Sequence, residues 1–272
     1  MINYEALSKD LHKSHHFSTP FNFDFARTES TLPVGISELP ILSKYVPIIF
    51  LKCEDNVFRL RALLSLIPGE NNFINEDGIW RLPYVPAILR CHPFKLLSVK
   101  NEDGQITDRK ILGFIKDSPY VVRNSDSGTS PFFESDGNHT DRLIKLNQLL
   151  SLLENEMATA TQKIQQLFEF DLLTEISTSN TANTENKTLL RDVFSVNGNK
   201  LLECSGESLK TLMSNSTMDL IYHQKFSLIN FKNILKNAGA TDISTRDAVL
   251  QVNKEKKASE INALVQNLLV DD

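Results

Sequence analysis

The sequence predicts an α+β protein: a mainly antiparallel sheet from the first half, covered by a long helix and a C-terminal helical region. Two observations carry this expectation. Before residue 116 the chain alternates short β-branched or aromatic runs with dense turn formers, and between 140 and 168 it keeps one unbroken helical periodicity.

Taken in order, the first forty residues are mixed. Phe21, Phe23 and Phe25 alternate ahead of Pro33 and Pro40, which suits an arm wrapped over the domain. YVPIIFLKC at 45–53 reads as a buried strand ending in the turn Glu54-Asp55-Asn56, with 60–67 as a pairing partner. Residues 68–83 are rich in turn formers around Phe73 and Trp80, so a structured loop is expected there, with a short strand at 72–74. Pro86 opens a short helix that runs to Cys91 and that Pro93 ends. Residues 94–100 and 110–115 form a hairpin across Asn101-Glu102-Asp103-Gly104.

Leu143, Leu146, Leu150, Leu153, Met157, Ala160, Ile164 and Leu167 recur at spacings of three and four, one apolar seam along a helix over 140–168. Such a seam suits a homodimer through a coiled coil. Leu149 and Leu152 widen it, however, and a wide stripe favours packing on the protein's own sheet. Residues 177–188 (STSNTANTENKT) are small and polar, cannot offset their ordering entropy, and are expected to be a mobile loop. After it come a strand at 192–196, a turn at Asn197-Gly198-Asn199, a strand at 201–204 pairing back, and helices at 205–213 and 217–237. The predicted organisation is one domain over 1–240 and an amphipathic helical extension over 241–272, marked by Ala258, Ile261, Leu264, Val265, Leu268 and Leu269.

The 272 residues carry 29 Lys plus Arg against 34 Asp plus Glu, a net charge of −5 and a pI near 5.7. With no basic stripe to neutralise phosphates, a nucleic-acid partner is not expected. No apolar run reaches the roughly 20 residues that span a bilayer, so no membrane span is expected, and the charged first segment points to a cytoplasmic protein. Cys53, Cys91 and Cys204 are widely spaced without a CxxC pair, which suggests three buried or half-buried thiols rather than disulfides or a zinc site.

No nucleophile elbow, phosphate loop, dinucleotide fingerprint or HExxH motif occurs, and no cofactor is implied. His12, His15 and His16 are the one histidine cluster. With Asp24 they have the donor types of a divalent metal site, but a solvated flexible cluster is the simpler reading, and no metal is assigned. The N-x-S/T triplets at Asn138, Asn186 and Asn215 matter only in a glycosylating compartment. The densest polar constellation is Glu70, Asn71, Trp80, Tyr84, Arg90 and His92, framed by prolines. Arg90 offers a planar fork for a carboxylate or phosphate, Trp80 and Tyr84 offer stacking faces, and Asn71 hydrogen-bonds both ways, the make-up of a ligand pocket. The alternative is an internal Glu70–Arg90 ion pair with Trp80 and Phe94 in the core.

The same residues carry a resemblance. YVPIIF at 45–50, GENNFINEDGIW at 69–80 and YVPAILRCHPF at 84–94 resemble the ordered signature blocks of the SapC family of bacterial proteins. FDFA at 23–26, PFFESDG at 131–137 and LIYHQKFSLINF at 220–231 extend the likeness over about residues 5–237. Val46 is inserted, Asn72 replaces a Leu, and Gln224 stands where a His is expected, which weakens any acid–base role there. The resemblance implies a cytoplasmic protein linked to surface-layer loci and to export or modification of peptides, with no established reaction. Two expectations follow. The first is a non-catalytic accessory protein that binds a peptide or protein partner around Trp80, Tyr84 and Arg90. The second is an enzyme on a peptide or amino-acid-like substrate, with Glu70 as acid or base and Arg90 as a carboxylate clamp.

Overall fold

A computed structural model describes residues 2–101, 103–176 and 190–237. The loop expected at 177–188, Asn186 and the extension over 241–272 lie outside the described residues. In chain order the elements are β1 (Tyr4–Ala6), α1 (Lys9–His12), β2 (His16–Phe17), β3 (Thr31–Pro33), α2 (Leu39–Leu42), β4 (Ile48–Lys52), β5 (Phe58–Leu63), α3 (Ala87–Arg90), β6 (Phe94–Lys100), β7 (Ile106–Ile115), β8 (Val121–Val122), β9 (Ser130–Pro131), α4 (Asp141–Glu169), β10 (Leu173–Glu175), β11 (Val193–Val196), α5 (Gly198–Leu202), α6 (Gly206–Ser214), α7 (Thr217–Ser227) and α8 (Phe231–Asn237). The fold is α+β, and every paired strand is antiparallel.

Three sheets share the strands, in the orders β1-β7-β6, β10-β11-β4-β5-β3 and β8-β2-β9. The hairpins β4/β5 and β6/β7 lie where the apolar runs place them. Asn56 takes the left-handed conformation (φ 60°) in the first connecting turn, a role a short polar side chain tolerates. Between 68 and 83 the chain folds back on itself through an isolated bridge between Ile74 and Trp80, closed at its tip by Gly78 at φ 78°. There the Asn75 side chain accepts from the Ile79 amide at 2.7 Å.

Three local readings are corrected. The first forty residues are not a mere arm: β1 joins β7, β2 lies between β8 and β9, and β3 edges the five-stranded sheet. Residues 201–204 do not pair with 192–196, because the Asn197 side chain accepts from the amides of Asn199 and Lys200 and caps a helix instead. The strand partner of β11 is β10, so the largest sheet draws on the second half of the chain too. Finally, 217–237 is not one continuous helix. The Ser227 hydroxyl donates to the Gln224 carbonyl at 2.6 Å, and the Leu228 amide, which that carbonyl would otherwise take, moves to Lys225 in a 3-10 turn over Leu228–Asn230.

Two apolar cores lie under these sheets, and α4 serves both. Thr140 caps its first turn by accepting from the Leu143 amide. Leu143, Leu150 and Leu153 enter the smaller core with Phe94, Phe114 and Phe132, whereas Ala160, Ile164 and Leu167 enter the larger one with Ile48, Phe50 and Leu63. The seam therefore packs within the chain.

Gln224, where the family pattern suggests a His, is fully buried between α7 and the five-stranded sheet. Its Oε1 accepts from the Val196 amide at 3.2 Å and its Nε2 donates to the Ile48 carbonyl at 3.2 Å, while the Ser227 hydroxyl accepts from the Ile48 amide at 2.8 Å. These side chains finish the ladder where β11 stops short of the start of β4. Replacing Gln224 with Leu leaves two buried backbone groups without partners and is expected to cost about 2–4 kcal/mol. Urea unfolding measures this; a loss below about 0.5 kcal/mol shows that the amide bonds do not hold the seam.

Candidate functional site

Of the six residues singled out in the sequence, His92 lines the apolar cleft described below and the other five do not. Asn71 is buried; its Nδ2 donates to the Ala26 carbonyl at 2.9 Å and its Oδ1 accepts from the Phe73 amide at 3.0 Å. Trp80, 6% exposed, packs in the larger core and donates through Nε1 to the Tyr84 carbonyl at 2.8 Å. The Tyr84 hydroxyl donates to Glu38 Oε1 at 3.0 Å, and burial, with Glu38 adding to it, raises its pKa. Arg90 is exposed; its guanidinium lies over the Tyr84 ring, 5.6 Å from the centroid, and Nη2 donates to the Tyr84 hydroxyl at 3.3 Å. Glu70 is half-buried on the loop before Asn71. The set thus divides into a tied Trp80–Tyr84–Arg90 chain, a loop-bracing Asn71, and His92.

The sequence reading missed the group on which that chain converges. Glu38 is 4% exposed, and its carboxylate accepts from the Tyr84 hydroxyl, from the Ala87 amide at 2.8 Å and, through Oε2, from the Gly35 amide at 2.9 Å. On the other side of the same 3-10 turn (Ile36–Glu38), Glu156 of α4 accepts from the Ser37 amide at 3.3 Å and the Ser37 hydroxyl at 2.8 Å. A Cβ at position 35 would meet Glu156 Oε2, so the glycine leaves the Glu156 carboxylate free to take its place on Ser37. A lone Glu inside the apolar stretch ISELPIL was the available signal.

His92 reaches an apolar cleft of about 720 Å³. Two sheet edges flank it: Leu32 and Pro33 from β3, and Phe94, Lys95 and Leu96 from β6. Ile88 and Leu89 of α3 and Leu150, Leu153 and Met157 of α4 complete its walls. Glu29, Lys95, Asp117 and Glu154 supply charge; Glu154 is paired with Lys110, and the Lys95 ammonium sits 5.5 Å from the centre of the Tyr4 ring. His92 stacks on Phe25 with ring centres 3.5 Å apart and meets Tyr120 edge-on at 5.5 Å. Burial depresses its pKa to about 4, so the imidazole is neutral at physiological pH and behaves as part of an aromatic wall.

The ladder register decides what β6 presents to this cleft. The Pro93 carbonyl accepts from the Ile115 amide, so by antiparallel alternation the backbone groups of Lys95 and Leu97 also point toward β7. Those of Leu96 and Ser98 point the other way. Among the described residues no strand pairs with that side of β6.

The histidine cluster is not solvated as expected. His12 is 3% exposed; its Nδ1 accepts from the Ser8 amide at 3.0 Å, and its Nε2 lies 3.3 Å from Glu5 Oε1. His15 lies edge-on to His12 and stacks over Phe132, and burial, followed by the His12 charge, lowers its pKa. Among the described residues no group of three or more His, Cys, Asp or Glu is placed to hold a metal ion. Cys91 is buried, which pushes its thiol up to about 11, and Cys53 and Cys204 are half-buried free thiols. No described helix is long and apolar enough to cross a membrane.

An α+β scaffold with two cores joined by one helix, and a cleft between two sheet edges, is thus the setting of all three signature blocks. The family model described as SapC matches residues 7–234, and the chain belongs to that family. No curated protein and no solved structure matches it.

Two outcomes test the site. Glu38→Ala strips two buried amides and the part-buried Tyr84 hydroxyl of their acceptor and is expected to cost about 2–4 kcal/mol in chemical denaturation, whereas Arg90→Ala, at the exposed end of the chain, costs under about 1 kcal/mol. For His92, the unfolded chain binds a proton near the ordinary value of 6.5 and the folded chain only near 4. Stability is therefore full above that ordinary value and falls as the pH drops through this window. His92→Phe should remove that part of the pH dependence, and an NMR titration placing the His92 midpoint near 6.5 refutes it.

Proposed function

We propose that this protein is a non-catalytic binding factor that captures an extended polypeptide segment by strand addition to β6, seating an apolar side chain of that segment in the adjoining cleft. The observation that carries the reading is the juxtaposition of an apolar cavity walled by α3, α4 and β3 with the Leu96 and Ser98 backbone groups, which no strand among the described residues pairs. Main-chain hydrogen bonds to an edge strand supply affinity without regard to sequence, and a pocket beside it selects alternate side chains. The cavity volume suits one or two large side chains rather than a whole domain.

Charge narrows the partner. Glu29 and Asp117 stand on the rim, while Lys95 is engaged with Tyr4, so Lys or Arg next to the apolar anchor is favoured. This fits the setting that the family resemblance implies, handling in the cytoplasm of polypeptides bound for export or the surface layer, because such chains are extended before they fold. The enzymatic alternative through Glu70 and Arg90 gains no support from geometry, since neither residue lines the cleft.

The probe is a capped peptide alternating Lys and Val around one central Phe, titrated into the full chain by calorimetry. Saturable binding is expected, with N-methylation of alternate amides weakening it at least tenfold and of the intervening amides much less. Met157→Glu, at a half-buried wall position, should weaken binding by a similar factor. If N-methylation has no effect at any position, strand addition is refuted; if Met157→Glu has none, the cleft is not the anchor site.

A further inference from the structure

The α7 helix is apolar on two faces. Leu220, Ile221, Leu228 and the polar staples Gln224 and Ser227 face inward and are buried. On the outer side Tyr222, Phe226 and Ile229 are 50%, 71% and 56% exposed, and the Tyr222 and Phe226 rings stack with centres 6.2 Å apart. A spacing of four places Tyr222 and Phe226 on one stripe of α7, and Ile229 in the 3-10 turn that follows extends it. A contiguous stripe of large apolar side chains in water marks a contact surface.

The occupant is written in the same chain. The described part ends at Asn237, just beyond this stripe, and residues 238–272 follow. Within them Ala258, Ile261, Leu264, Val265, Leu268 and Leu269 repeat at spacings of three and four, an apolar stripe that likewise needs a partner. Residues 238–257 can bridge up to about 60 Å if extended, several times the roughly 16 Å length of α7, so the segment can return along the helix in either direction. Charge selects one direction. Lys254, Lys256 and Lys257 outnumber Glu255 ahead of the apolar stripe and Asp271 and Asp272 follow it, whereas α7 has Asp219 in its first turn, Lys225 in its last, and Lys232 beyond its end. A parallel alignment matches opposite signs at both ends; an antiparallel one sets like against like.

We propose that residues 258–269 pack on the stripe formed by Tyr222 and Phe226 of α7 and Ile229 of the turn after it, making the C-terminal segment an intramolecular cover for that stripe. The proposal is independent of the cleft and its ligand.

Hydrogen–deuterium exchange by mass spectrometry on the full chain tests it. Amides of 258–269 are expected to exchange at least tenfold slower than those of 241–253, to the same extent from 1 to 50 µM chain as an order-of-magnitude range. Phe226→Glu and Tyr222→Glu should each abolish that protection while β4 and β5 keep theirs. Both positions are exposed, so the fold survives the change. Absence of protection in the unaltered chain overturns the proposal, as does protection indifferent to both substitutions. Protection that grows with concentration assigns the stripe to a second copy and overturns it as well.

Discussion

The Glu38 carboxylate sets the relation between the elements that enclose the cleft. It comes from the turn after β3, yet its partners are the Gly35 amide, the Tyr84 hydroxyl and the Ala87 amide at the start of α3. The two buried amides would be left unpaired without it, so the carboxylate fixes α3 against the β3 side while Glu156 fixes the same turn to α4. From α3 the chain runs through Cys91 and His92 directly into β6. Both edges of the cleft are therefore referenced to one buried carboxylate, which sets Leu32 and Leu96 in the walls of the same cleft.

Side-chain amides do comparable work elsewhere. Asn71 joins the 71–73 loop to Ala26, Gln224 joins β11 to β4, and the Asn230 side chain donates to the Ser43 carbonyl at 3.0 Å. Each stands where a backbone group would be buried without a ladder partner, and an amide meets both donor and acceptor needs whatever the pH. A histidine at position 224 would lose its acceptor on protonation.

How much was legible follows from the range of the interactions. The helix α4 was plain because its periodicity and its Thr140 cap are local, and the β4/β5 and β6/β7 hairpins were plain because their partners are adjacent in sequence. The strands β1 and β2 were not: they are two or three residues long and pair with Gly113–Ile115, Val121–Val122 and Ser130–Pro131, some hundred residues away. The polar constellation was visible as a cluster, but composition does not show which way a side chain points. Trp80 and Asn71 turned inward, and the group that organises Tyr84 and Arg90 lay about fifty residues upstream. That β6 carries no second strand among the described residues became readable only once the ladder register was known.

The 29 residues of α4 reach about 43 Å, so a single rigid rod crosses both cores. Its first turns are gripped by the aromatic cluster around Phe132, its last turns by the aliphatic layer beneath the five-stranded sheet, and Leu150, Leu153 and Met157 face the cleft between those grips. Whatever presses on that middle stretch bears on a beam held at both ends. Bending it there would stretch its own hydrogen bonds, so a load at the cleft is shared between the two layers that hold its ends. The rod thereby turns two packing units into one mechanical body, with the cleft at its fulcrum.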